Sequence, residues 1–246
     1  AKIREAQFRN YTSFEEEPDL ARGEIQRCID AEHMTESRTL EEVQEYVGGK
    51  PLLNRLALQV KTEADGSLKL RLITDLLRSQ GNWFLRAPER IVLPRLVDAI
   101  ESALYILDSI ERDLAYGLID RSTTAEWGSA DVKDAFFNIP VLPGDRRATC
   151  YKVFDRFTAS DSLVFGAGPS PLIWGRYAAW MARSAQGLFD FKELLLQLYV
   201  DDPLWVTRGT DAQRRRNTVI LLLFFAQTPV PPKLRARSRH CQESAR

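Results

Sequence analysis

The stretch from Leu194 to Thr207 sets two adjacent carboxylates, Asp201 and Asp202, inside an otherwise apolar, strand-forming run. A pair of strands pivoting on Asp201-Asp202-Pro203 is the expectation, because Asp tolerates turn geometry and Pro interrupts a ladder. Standing alone, such a pair is a hairpin turn. A third carboxylate, Asp131, also breaks an apolar pattern, after Gly128-Ser129-Ala130. Carboxylates beside buried strands repel one another and lose hydration, and a divalent cation sharing their oxygens relieves both penalties. Two such ions can activate a hydroxyl and neutralise a leaving pyrophosphate, which is the chemistry of nucleotide polymerisation.

The rest of the chain supports an α+β reading. Leu56–Lys61 and Leu68–Ile73 flank an Asp65-Gly66 turn and are expected to form a β-hairpin carrying Lys61, Lys69 and Arg71. Leu93–Leu107 has helical period with Leu96, Ile100, Leu104 and Leu107 on one face, and Pro169–Gly187 reads as a helix with Pro in its first turn. A strand with a break is expected over Ser129–Val141. Residues 1–46 are acidic helix formers, expected as short surface helices with Thr39 capping one of them. The domain reading is an acidic helical segment over 1–50, a hairpin-bearing region over 51–128, a site-bearing region over 129–226, and a basic, Pro-containing, disordered tail over 227–246.

Composition narrows the class. The longest apolar run, Val219–Ala226, is too short to span a bilayer, which takes about 20 residues. Three scattered cysteines and two histidines make neither a disulfide framework nor a zinc site, so an intracellular setting (cytoplasm or nucleus) and no membrane partner are expected. Formal net charge is zero, yet residues 1–50 hold seven basic against twelve acidic residues, and from Thr207 onward nine basic face two acidic. That bias is compatible with phosphate contacts, but by itself a solvated basic tail is the better reading. The chain, which begins at Ala1, is expected to be a fragment of a longer reading frame.

Taken in order, several segments resemble the reverse transcriptases of retroelements. Asp131-Val-Lys-Asp-Ala-Phe-Phe-Asn-Ile-Pro-Val141 is similar to the first palm motif, Phe165-Gly-Ala-Gly-Pro-Ser-Pro171 to the second, and Leu198-Tyr-Val-Asp-Asp202 to the Tyr-x-Asp-Asp box. Lys69 to Asn82 looks like the fingers segment, and Glu89-Arg-Ile-Val-Leu-Pro-Arg95 is similar to gypsy-type and DIRS-like retrotransposon sequences. The resemblance runs from about Leu56 to about Ala226. Departures are Ala167-Gly168-Pro169 in the second motif and Pro203 after the Asp pair, where pairing of the second strand is expected to start late.

The resemblance implies an RNA-directed DNA polymerase whose palm is a ferredoxin-like βαββαβ sheet with helices on one face, plus a fingers subdomain. It implies Asp131, Asp201 and Asp202 as catalytic, with two Mg2+ ions, or Mn2+, held by these and Val132. Lys61, Lys69, Arg71, Phe136 and Gly166 would bind the deoxynucleoside triphosphate, with Phe136 excluding a ribose 2′-hydroxyl. Tyr199, Arg78 and Asn82 would meet an RNA or DNA template with its DNA primer, and Lys233 would match a lysine beyond the last palm helix. Phe137, Trp174, Tyr177 and Trp180 are expected in the core. The alternative reading is a truncated, inactive remnant or domesticated nucleic-acid-binding palm. An RNA-dependent RNA polymerase fits less well, because Phe136 leaves no room for a ribonucleotide.

Overall fold

The computed structural model describes residues 8–85, 89–228 and 237–240. The chain is α+β and divides into two compact units, residues 1–89 with 136–170, and residues 90–135 with 171–246. Lys233 and Cys241 lie outside the described residues. Among the described residues, no helix is long and apolar enough to cross a membrane.

The first unit holds α1 (Thr12–Glu15), α2 (Pro18–Asp30), β1 (Met34–Ser37), α3 (Leu40–Tyr46), β2 (Leu53–Thr62), β3 (Leu68–Asp75), α4 (Gly81–Phe84), β5 (Cys150–Val153) and β6 (Arg156–Ser160). Its sheet runs β1-β6-β5-β2-β3, with β2 and β5 parallel and every other pair antiparallel. The expected hairpin forms, with Gly66 at φ 81 in its turn. Alternation decides its faces: Leu56, Leu58 and Leu72 are buried, while Gln59, Lys61, Lys69 and Arg71 are exposed.

The N-terminal helices lie at the surface, as expected, but each buries one face. Phe14, Ala21, Ile25, Cys28 and Met34 join Leu56, Leu58 and Leu72 in one core, each large side chain contributing about 1.5–3 kcal/mol. Their apolar residues recur one turn apart amid charges, which hid the buried stripe in an acidic composition. Thr39 does cap α3, accepting from Glu42 N–H at 3.1 Å.

Asn10 completes this sheet. The parallel β2–β5 ladder has only two pairs, Leu53↔Cys150 and Asn54↔Tyr151. Beyond them the Asn10 amide takes a strand's place, accepting from Leu56 N–H at 3.0 Å and donating to Lys152 C=O at 2.9 Å. Both backbone groups are thereby satisfied.

The second unit holds α5 (Leu96–Ala115), β4 (Thr124–Ser129), α6 (Ser170–Gln186, from its second residue), β7 (Leu194–Tyr199), β8 (Asp202–Gly209), α7 (Asp211–Ala226) and β9 (Arg237–His240). Its sheet is antiparallel throughout, in the order β7-β8-β4-β9. From β4 onward the elements therefore run strand, helix, strand, strand, helix, strand.

Four expectations need correction here. The strand over Ser129–Val141 is absent: β4 ends at Ser129, and Ala135–Asn138 is a 3-10 turn. Helices cover both faces of the sheet. Gln186 of α6 bonds β7, Trp205 and Thr207 of β8 meet Thr218 and Asn217 of α7, and α5 takes the opposite face. Half-buried Arg208 explains the seating of α5, since it donates to Ser109 at 2.7 Å and Asp113 at 2.6 Å. Of the stripe chosen from sequence, Leu96, Ile100 and Leu104 consequently face outward, with Leu96 77% exposed, and Leu107 alone packs against the core. Within the tail, Arg237–His240 pair as a strand with β4, although their composition reads as loop.

Candidate functional site

The β7–β8 hairpin is closed by two residues, Val200 and Asp201, between the paired Tyr199 and Asp202. Val200 sits at φ 54, a conformation costing a β-branched residue about 1–3 kcal/mol. Trp174 of α6, 1% exposed, holds this turn through Nε1–H donation to Val200 C=O at 2.7 Å. The indole is core, as expected, and also positions the carboxylate-bearing turn, whereas Tyr177 is half-buried and Trp180, expected in the core as well, is 46% exposed.

Pro203 does not delay β8, which pairs from Asp202. Its missing N–H is felt on the β4 side. Ala130 N–H donates to Pro203 C=O at 3.0 Å, but no bond can return, and the β4–β8 ladder ends at Ser129↔Leu204. One step further, Val132 N–H donates to Asp201 C=O at 2.9 Å.

These two bonds bracket the position where Asp131 lies opposite Asp202. Such a non-hydrogen-bonded pair brings Cα atoms to about 4.5 Å, with side chains on one face. Both residues are exposed. The Asp202 carboxyl is raised above its ordinary value, first by partial burial and second by the charge of Asp131.

Asp201 is half-buried in the turn, with its carbonyl engaged by Val132. Val132 is itself buried, so only its carbonyl oxygen could serve as a ligand. Among the described residues, no group of three or more His, Cys, Asp or Glu is gathered as a metal-binding cluster. The facing Asp131–Asp202 pair nevertheless suits a hard divalent cation in kind. Its donors are carboxylate oxygens, and a cation would offset the repulsion that raises Asp202.

Within the first unit, hairpin register sets Lys61 directly across from Lys69, and Arg71 across from Gln59, all on the exposed face. Like charges directly opposed are unfavourable, and Lys61 is partly compensated by Glu63 at 3.3 Å. The result is a basic hairpin face, suited to an anion and equally to water.

Phe136 and Phe137 lie in the 3-10 turn, so strand alternation does not separate them. Phe137 is nonetheless buried in the core, while Phe136 is half-buried with its ring 4.8 Å from that of Phe165. Gly166, at φ 103, follows, and a Cβ there would stand 1.9 Å from Thr74 C=O. Thr74 N–H donates to Phe165 C=O at 3.0 Å, fastening this loop to β3.

Asn82 grips the same loop from α4, donating to Gly166 C=O at 3.0 Å and accepting from Gly168 N–H at 2.8 Å. It positions the loop. Arg78 is exposed, and its N–H donates to Asp75 at 2.9 Å. Tyr199, in the second unit, is exposed beside the carboxylate turn.

Sequence reasoning missed Tyr11 and Asp75. With Ile73, Leu77, Asn82 and Gly166 they line an open groove of about 390 Å³ on the first unit. Tyr11 donates its hydroxyl to Asp75. Burial opposes ionisation of Asp75, but bonds from Tyr11 and the N–H groups of Arg78 and Leu77 outweigh it and hold the carboxyl below its ordinary value. The legible signal was Asp75 ending a strand just before a turn. Burial and the charge of Asp161 push the Cys150 thiol up to about 12, so it is no nucleophile.

Comparison with known protein families finds no matching family model, and no curated protein matches the sequence.

Proposed function

We propose that this chain is an RNA-directed DNA polymerase of the retrotransposon type, with its palm in the second unit and its fingers in the β2–β3 hairpin. The observation carrying this reading is the pairing of Asp131 with Asp202 at the mouth of a hairpin. The strand, helix, strand, strand, helix, strand succession with sheet order β7-β8-β4-β9 supports a ferredoxin-like palm. Motif order along the sequence agrees.

In this reading a primer 3′-hydroxyl attacks the α-phosphorus of a deoxynucleoside triphosphate, and the bond to the bridging oxygen breaks, releasing pyrophosphate. Two magnesium ions, or manganese, would activate the hydroxyl and neutralise the leaving group when bound. Asp131 and Asp202 would supply carboxylate oxygens, with Asp201 and the Val132 carbonyl beside them. Arg71 would fork onto phosphate oxygens, and Lys61 and Lys69 would act as point charges. Phe136 would exclude ribose, and the Gly166 loop, braced by Asn82, would offer backbone without side-chain bulk. Tyr199 and Arg78 would meet primer and template, whose sequence such contacts do not read.

The test is extension of a DNA primer on an RNA template. The account expects extension only with Mg2+ or Mn2+ present. Binding of primer–template without extension at any metal concentration would favour the noncatalytic alternative.

A further inference from the structure

We infer that the outer face of α6 is a track for single-stranded nucleic acid, separate from the carboxylate site and not resting on the polymerase reading. The inner face of this helix is spent on packing, with Trp174, Ala178, Met181 and Ala185 buried at helical spacing. The outer face carries Arg176, Trp180 and Arg183, all exposed, and between Ser170 and Gln186 there is no acidic residue. One guanidinium therefore stands a turn before an indole and another a turn after it.

The indole is braced for stacking. Tyr177 tilts against Trp174 at 5.8 Å and against Trp180 at 5.6 Å, so Trp180, 46% exposed, is backed by the Tyr177 ring, which itself rests on buried Trp174. An exposed ring that is already braced loses little entropy when a base stacks on it. Planar guanidinium forks on either side match successive phosphates.

The combination selects its ligand. A duplex presents phosphates but keeps its base faces stacked inside, leaving Trp180 without a partner. A bare polyanion would reward the arginines alone. An unpaired strand uses both, with cation–π contacts adding to stacking.

Fluorescence anisotropy of a labelled short oligothymidylate with the full chain at low salt tests this, alongside a duplex of the same length and phosphatidylserine vesicles as competitors. Trp180→Ala should weaken oligothymidylate binding about tenfold. Arg176→Gln with Arg183→Gln should flatten the dependence of log affinity on log salt by about 1.4. These positions are exposed, and unchanged circular dichroism would verify the fold. Photocrosslinks from a 5-iodouridine oligonucleotide should map to Trp180. Wild-type affinity and salt dependence in both variants would overturn the inference, as would equal loss of duplex binding in Trp180→Ala, or vesicles competing where excess unlabelled oligothymidylate does not.

Discussion

Asp131 faces Asp202 across the end of the β4–β8 ladder, between the Ala130–Pro203 and Val132–Asp201 hydrogen bonds. Backbone register, rather than side-chain attraction, holds the two carboxylates together. Folding therefore sustains a repulsion that the chain gains nothing from structurally.

Removing one charge should relieve it. Because the Asp202 carboxyl is raised in the folded state, its contribution to stability is complete below the ordinary value of 3.8 and is lost as pH rises through the raised value. Asp131→Asn should match wild type in acid and exceed it at neutral pH by up to about 1 kcal/mol. Urea unfolding at the two pH values measures this. Equal stabilities at both would mean that the carboxylates do not interact.

Asn10→Ala should destabilise the chain by about 1–3 kcal/mol, since Leu56 N–H and Lys152 C=O both lose a partner inside the core. The denaturant midpoint should fall with unchanged slope. Asn10→Asp should be worse, because an oxygen would then face the Lys152 carbonyl.

Gly166→Ala combines a left-handed backbone with a clash against Thr74 C=O, which is backbone and cannot yield like a flexible side chain. A loss of a few kcal/mol is expected. Asn82→Ala, releasing Gly166 C=O and Gly168 N–H at a more exposed position, should cost about 1 kcal/mol. Thermal melts of the two variants give the order, and a reversed order would contradict the loop geometry.

Gln186 guards an edge. Among the described residues β7 pairs only with β8, and the Gln186 amide donates to Leu194 C=O at 2.9 Å and accepts from Leu196 N–H at 3.0 Å on the outer side. Gln186→Leu should bare that apolar edge and promote association. Light scattering at rising protein concentration should increase for the variant while wild type stays level.

Legibility followed periodicity. The β2–β3 and β7–β8 hairpins could be read because alternating or apolar runs flank an Asp-Gly turn and the Asp pair, although the second turn is Val200-Asp201 and Asp202 already belongs to β8. α5 was found, but its outward stripe of Leu96, Ile100 and Leu104 is more apolar than the buried one. That buried face includes Ser102, Ser109 and Asp113, matched to Gln197 and Arg208 from distant strands. Only tertiary partners disclose such a face. β4 was misplaced because Thr-Ala-Glu-Trp-Gly-Ser shows little strand pattern, its Gly128 being required where Trp205 crosses, with a Cβ only 2.1 Å from the ring. Asp131, Asp201 and Asp202 stood out as charges interrupting apolar runs. That Asp131 opposes Asp202 rather than Asp201 is a matter of register, which local sequence does not carry.

The proposed nucleotidyl transfer needs both carboxylates of the Asp131–Asp202 pair. Single-nucleotide addition to a DNA primer on an RNA template, followed in one turnover, tests it most directly in wild type, Asp131→Asn, Asp202→Asn and the exposed-carboxylate control Asp190→Asn. The account predicts magnesium-dependent addition by wild type and Asp190→Asn, and at least a hundredfold loss, on the order of 3 kcal/mol in the barrier, in the other two with melting temperatures no lower than wild type. Wild-type addition rates in Asp131→Asn or Asp202→Asn would contradict it.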